Sequence, residues 1–143
     1  MSMTPEIIDQ VRQVSSRELS RGEIVFLEGD LPDDTMFFLL TGEIGIYKNR
    51  PDGEKMINQL GPGSFFGEMA LVGQRPRLAT AKVISDNARI AILTRDVFLK
   101  LCGKSPQFLF NLLKYAVSRL IAAEDKLQRI KEEVQNKKKF GAR

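Results

Sequence analysis

FGEMALVGQRPRLATA, residues 66–81, sets an acid, Glu68, directly after a glycine and an arginine, Arg77, directly after a proline, within an otherwise apolar run. Charges in such company are rarely buried without a partner. Glu68 and Arg77 therefore hold either each other or a ligand. Gly61, Gly63 and Gly67 let the backbone turn sharply or approach another group closely. Phe66 to Val72 has helical propensity over about two turns, and a helix opening there directs unpaired N–H groups toward an anion. The loop Gln74-Arg75-Pro76 then carries Arg77 back, and the next strand is predicted from Leu78.

Around this segment the middle of the chain reads as β. EIVFLEGD, TMFFLLTG, EIGIYKN and EKMINQLG are short apolar or alternating runs, separated by Gly29-Asp30, Gly42, Pro51-Asp52-Gly53 and Gly61-Pro62-Gly63. LATAKVISD and ARIAILTRD continue the pattern across a turn at Asp86-Asn87. Short strands with such regular punctuation indicate an all-β sandwich or barrel. Before them, Ile7, Ile8, Val11 and Val14 recur at helical spacing over residues 5–14.

The last third is helical. Thr94 caps a short helix predicted over Arg95 to Cys102 and ended by Gly103. Ser105 caps a long one with Pro106 at its first position. Leu109, Leu113, Ala116, Leu120, Ala123, Leu127, Ile130 and Val134 then recur in alternating steps of four and three, a heptad stripe about 39 Å long. Phe108, Phe110, Leu112 and Val117 widen the first half, which suits packing on the chain's own sheet. From Leu120 the stripe is narrow, as in a coiled-coil seam between copies.

Composition removes several function classes. At 143 residues the chain suits one domain with a real core. It contains no histidine, so neither His-based catalysis nor a His metal site is available. A single cysteine, Cys102, builds neither an internal disulfide nor a thiolate cage, and fits a reducing cytoplasm. No apolar run reaches the ~18 residues of a membrane span, and MSMTPEIIDQVRQ lacks the flank and core of a secretory signal. Neither GxSxG nor a Walker loop occurs. The chain is therefore read as a binding protein with no catalytic or metal-ligating residues. Net charge is +4, concentrated from Lys126 onward, where seven basic residues face two acids. Residues 137–143 read as a solvated basic tail, without a motif that would read bases.

An arginine fork beside exposed N–H groups suits a phosphate. A carboxylate only accepts hydrogen bonds, so Glu68 needs a hydroxyl or amide donor on the same ligand, or Arg77 itself. A ribose closed onto a 3′,5′-cyclic phosphate, with its 2′-hydroxyl free, carries both groups on one rigid frame. GPGSFFGEMALVGQRPRLATA, residues 61–81, resembles the phosphate-binding cassette of cyclic nucleotide-binding domains, whose usual form is FGE-(L/M)-A-L…PR-(S/T/A)-A-(T/S). The likeness extends to EGD before Phe37-Phe38, to the turn in LTGEIGIYK and to the PDG hairpin, roughly Leu19 to Leu101.

The resemblance implies a mainly β fold, an antiparallel β-roll of jelly-roll type over residues 19–94. Flanking α-helices and a long C-terminal helix, residues 95–136, belong to the same single domain. It also implies roles. Gly67 offers its backbone near sugar and phosphate, Glu68 accepts from the ribose 2′-hydroxyl, and the Met69 and Ala70 amides face the phosphate. Arg77 pairs with the phosphate oxygens, aided by Leu78 and the Ala79 backbone. Asn58 and Leu60 line the purine pocket, and the C-terminal helix covers the base. Leu78 replaces the usual Ser, Thr or Ala, and a Thr there accompanies cGMP preference, so the chain leans toward cAMP.

The expected function is a cytoplasmic cyclic nucleotide sensor, not an enzyme. It needs no cofactor beyond its ligand, cAMP or cGMP, and acts through a homodimer built on the C-terminal helix or through an effector protein. The alternative is an assembly module of the same fold without a ligand, in which Glu68 and Arg77 form a salt bridge. No DNA-binding motif or transmembrane segment accompanies it. The opening methionine favours a natural amino terminus, for either a stand-alone sensor or a piece of a larger regulator.

Overall fold

The computed structural model describes residues 14–71 and 73–141. The helix predicted over residues 5–14 falls outside them except for Val14, and so does Val72. Among the described residues eight strands precede the helical third: β1 (Ser16–Ser20), β2 (Ile24–Phe26), β3 (Thr35–Thr41), β4 (Ile44–Arg50), β5 (Gly53–Leu60), β6 (Phe65–Phe66), β7 (Thr80–Val83) and β8 (Asn87–Thr94). Between β6 and β7 lies α1 (Glu68–Leu71); α2 (Arg95–Lys104) and α3 (Pro106–Gly141) follow β8.

Strand pairing is antiparallel and nested. β4 pairs with β5 around the Asp52 turn, β3 with β6, β2 with β7 and β1 with β8, as if one long hairpin were rolled up. Cross-pairs β3–β8 and β4–β7 gather the rolled strands into two four-stranded sheets, β1-β8-β3-β6 and β2-β7-β4-β5. This is the antiparallel roll that the resemblance implied, where the turn spacing alone indicated a sandwich or barrel. At its corner Gly42 sits at φ +89, where a Cβ would run into the Asn87 carbonyl and Ala88, so only glycine fits.

The apolar runs of β3, β6 and the second half of β8 lack polar alternation because these stretches are covered on both faces, whereas β1 and the start of β8 are largely exposed. Phe37 and Leu39 of β3 point between the sheets with Phe66, Ile44 and Ile90. Met36 and Phe38 point the other way, with Phe65, Leu93, Phe108 and Tyr115, into a layer formed with α2 and α3. The single dipeptide Phe65-Phe66 thus serves both cores. Phe65 is 1% exposed and meets Phe38, Phe108 and Tyr115 edge-on, with ring centroids 4.8, 6.1 and 6.0 Å away. The Tyr115 hydroxyl also donates to the Phe65 carbonyl at 3.4 Å. β5, at the sheet edge, is exposed along nearly its whole length.

The caps were legible. Thr94 Oγ1 accepts from the Val97 amide at 3.3 Å, and Ser105 Oγ from the Phe108 amide at 3.2 Å. Gly103 does not end α2, however. The helix continues to Lys104, and Ser105 closes it in extended conformation while opening α3, so one residue terminates one helix and starts the next. α3 packs through its first turns only, then runs as an exposed rod past residue 136 to Gly141, carrying Lys137–Lys139 in helical conformation. Among the described residues no helix is long and apolar enough to cross a membrane.

Because Phe65 joins the sheet to α3, Phe65→Ala is expected to cost about 3–5 kcal/mol of stability. Equilibrium urea denaturation measures it, and a loss below ~1 kcal/mol contradicts the packing described.

Candidate functional site

β6 ends against Gly67, which turns the chain at φ +73 into α1. α1 is a single turn beginning at Glu68, shorter than the two turns expected, because Phe66 is recruited into β6 by pairing with Phe37. The Ala70 amide bonds weakly back to the Gly67 carbonyl at 3.4 Å, and the Met69 carbonyl accepts from the amides of Gly73 and Arg75, closing the loop that returns to Arg77.

Arg77 is 4% exposed. Its Nη1 donates to the Gly67 carbonyl at 2.7 Å, and its Nη2 to Asp33 Oδ1 at 2.7 Å and to Thr35 Oγ1 and O at 3.0 and 3.1 Å. The guanidinium carbon lies 4.5 Å from the Phe26 ring centroid and 5.4 Å from that of Phe37, within cation–π range. Its backbone is tied to the same β2–β3 loop, accepting from the Gly29 amide and donating to the Asp30 carbonyl. Burial alone pushes the Asp33 carboxyl up, yet the Thr35 hydroxyl and the Arg77 charge hold it below the ordinary carboxylate value.

Glu68 has a different partner. Its Oε1 accepts from Nη1 of Arg119, on α3, at 2.7 Å, and the Arg119 guanidinium carbon lies 5.8 Å from the Tyr115 ring centroid. The two charges of the cassette do not clasp each other, as the ligand-free alternative required. Each is neutralised from outside, Arg77 by the β2–β3 loop and Glu68 by the long helix.

Between them lies a cavity of about 210 Å³, and all nine residues singled out from the sequence line it. Gly67, Glu68, Met69 and Ala70 come from the cassette turn, Arg77, Leu78 and Ala79 from the return to β7, and Asn58 and Leu60 from β5. Sequence reasoning missed Phe26, Ile46, Ile57, Phe66 and Arg119 on the same wall. The alternation of β4 and β5 carries a signal for Ile46 and Ile57. Arg119 has none, being one of many polar residues on the long helix, and neither does Asp33, half of an acid pair in a loop. Among the described residues no group of three or more His, Cys, Asp or Glu is placed to hold a metal. Burial pushes the Cys102 thiol up, away from thiolate reactivity.

A family model for the cyclic nucleotide-binding domain matches residues 16–105. The chain is 32% identical over 117 residues to a cyclic nucleotide-gated potassium channel of Mesorhizobium japonicum, which is 82% of this chain and 31% of the channel. To the type II regulatory subunit of cAMP-dependent protein kinase from Drosophila melanogaster it is 35% identical over 88 residues, 62% of this chain and 23% of that subunit. The crystal structure of the catabolite activator protein of Thermus thermophilus superposes with a TM-score of 0.76 at 27% identity, covering 90% of this chain and 61% of that one. The chain thus spans under a third of the length of the channel and the kinase subunit.

Gly67 is the tightest point of the site: a Cβ there would lie 2.7 Å from Arg77 Nη1 and 3.1 Å from the Phe26 ring. Gly67→Ala is expected to destabilise the fold by about 1–2 kcal/mol through its left-handed backbone alone. Denaturant midpoints of the two proteins test this, and equal midpoints refute it.

Proposed function

The chain belongs to the cyclic nucleotide-binding domain family, and on that premise we propose that it is a sensor for a 3′,5′-cyclic nucleotide, cAMP in preference to cGMP, that signals through α3. The observation that carries this reading is the convergence of all nine cassette and strand residues on one cavity with a carboxylate and a guanidinium in its wall. Glu68 receives the ribose 2′-hydroxyl, Arg77 and the Met69 and Ala70 amides take the phosphate, and Gly67, Leu78 and Ala79 shape the sugar and phosphate wall. Asn58 and Leu60 border the purine. Leu78, 47% exposed at the cavity, offers no hydroxyl to a guanine, which supports the lean toward cAMP. The role is regulatory and cytoplasmic rather than catalytic.

A ligand moves α3 only by binding one position of the helix better than another. Arg119 supplies that difference, because its bond to Glu68 Oε1 neutralises the carboxylate and takes up one of the two oxygens open to the ribose hydroxyl. Ligand entry either displaces Arg119 or recruits it onto the nucleotide, with Gly103 to Pro106 as the hinge. Beyond Arg119 the heptad residues Leu120, Leu127, Ile130 and Val134 stand about half exposed. Their narrow stripe supports a second copy of this chain as the partner of α3.

Calorimetric titration tests the ligand. cAMP is expected to give saturable heat, with cGMP weaker, and Arg77→Ala to weaken binding ~10- to 150-fold, the worth of charged hydrogen bonds of about 1.5–3 kcal/mol. Absence of heat with either nucleotide rejects the sensor. For the partner, sedimentation equilibrium is expected to show a dimer that Leu127→Lys dissociates, whereas a concentration-independent monomer rejects the seam.

A further inference from the structure

We propose that Asp33 is a built-in competitor for the ligand's phosphate, lowering the affinity of the site by neutralising Arg77 from behind. The inference rests on the sensor reading and concerns a residue outside the cassette.

Asp33 is not among the residues lining the cavity, yet its carboxylate lies 2.7 Å from the guanidinium that does line it. The Thr35 hydroxyl donates to the same oxygen, Oδ1, at 2.6 Å and steadies the carboxylate. Of the five N–H groups of an arginine, one on Nη1 goes to the Gly67 carbonyl and those on Nη2 are divided among Asp33 and Thr35. A phosphate arriving at Arg77 therefore meets a cation whose charge is already matched. Like charges on either side of one guanidinium oppose each other, and because the Asp33 side chain is largely exposed, solvent keeps the opposition modest.

Asp33 is not required to place Arg77. The Gly67 and Thr35 carbonyls and the Phe26 and Phe37 rings fix the guanidinium without it. Nor is it required to hold its own loop. The Gly29 and Asp30 backbone is bonded to that of Arg77, and Asp34 pairs with Arg95 at 2.9 Å. Asp33 itself is 63% exposed, a position that tolerates an isosteric amide. What it contributes to the site is its charge.

The test is the sign of an affinity change. Wild type, Asp33→Asn and Asp33→Glu are titrated with cAMP, with thermal melts confirming that each is folded. Asp33→Asn is expected to bind roughly two- to fivefold more tightly, the scale of one partly exposed ion pair, while Asp33→Glu restores the wild-type value. A folded Asp33→Asn that binds as well as or less well than wild type overturns the proposal and makes Asp33 a support for Arg77. Binding by Asp33→Asn alone upholds it. If neither protein binds either cAMP or cGMP, the sensor reading fails and the proposal falls with it, a result distinct from an unchanged affinity.

Discussion

A guanidinium with 4% of its residue exposed cannot remain in a fold without acceptors, and the surroundings of Arg77 are arranged to meet that need. Its acceptors come from separate parts of the chain: the Gly67 carbonyl at the end of β6, Asp33 in the β2–β3 loop and Thr35 at the start of β3. Two aromatic rings from β2 and β3 cover its face. The cassette and the β2–β3 loop are thereby one electrostatic unit, although some forty residues separate them in sequence. A buried arginine that loses one acceptor does not relax into water, so movement of the loop and movement of the cassette are coupled.

The β-roll makes that unit stiff, and the helical layer touches it directly. β3 and β6 are buried on both faces, so β6 cannot shift without disturbing Phe65 on one side and Phe66 on the other. Phe65 touches α3 through Phe108 and Tyr115, and Arg119 reaches from the next turn to Glu68. A change at the cassette therefore meets the long helix at two adjacent points, one apolar and one ionic. The apolar contact resists displacement in proportion to the surface it buries, while the half-exposed ion pair is weak and exchangeable. On the proposed reading, this pairing of a firm contact with a loose one suits a helix that pivots rather than detaches.

Much of the fold was legible because it rests on local chemistry. Turn residues at regular spacing marked the strands, Thr94 and Ser105 marked the helix starts, and Glu68 and Arg77 stood out as charges in apolar company, while the other cassette positions came from the resemblance. The places where the sequence misled are those where tertiary pairing overrides local preference. Phe66 has helical neighbours but joins β6 because Phe37 is there to receive it. Gly103 has the form of a helix stop, yet the amide of Ser105 finds the Leu101 carbonyl and α2 runs on for another residue. The counter-ions were the least legible part. Asp33 and Arg119 are ordinary surface residues in sequence, and only the rolled topology brings one behind Arg77 and the other over Glu68.

Those counter-ions alter how the cavity is to be understood. A pair of unmatched charges would bind any complementary molecule tightly and gain little from a change of shape. Here both charges are matched within the fold, so on the proposed reading binding is an exchange of partners whose net free energy is a difference between similar terms. Asp33 and Arg119 would then tune such a site alongside the cassette itself. One belongs to a loop fixed by backbone bonds, the other to a helix exposed along most of its described length. On the proposed reading, replacing the first acts on the charge of the site, whereas displacing the second also frees the helix that carries it. The two counter-ions would then separate how tightly the site binds from what α3 does.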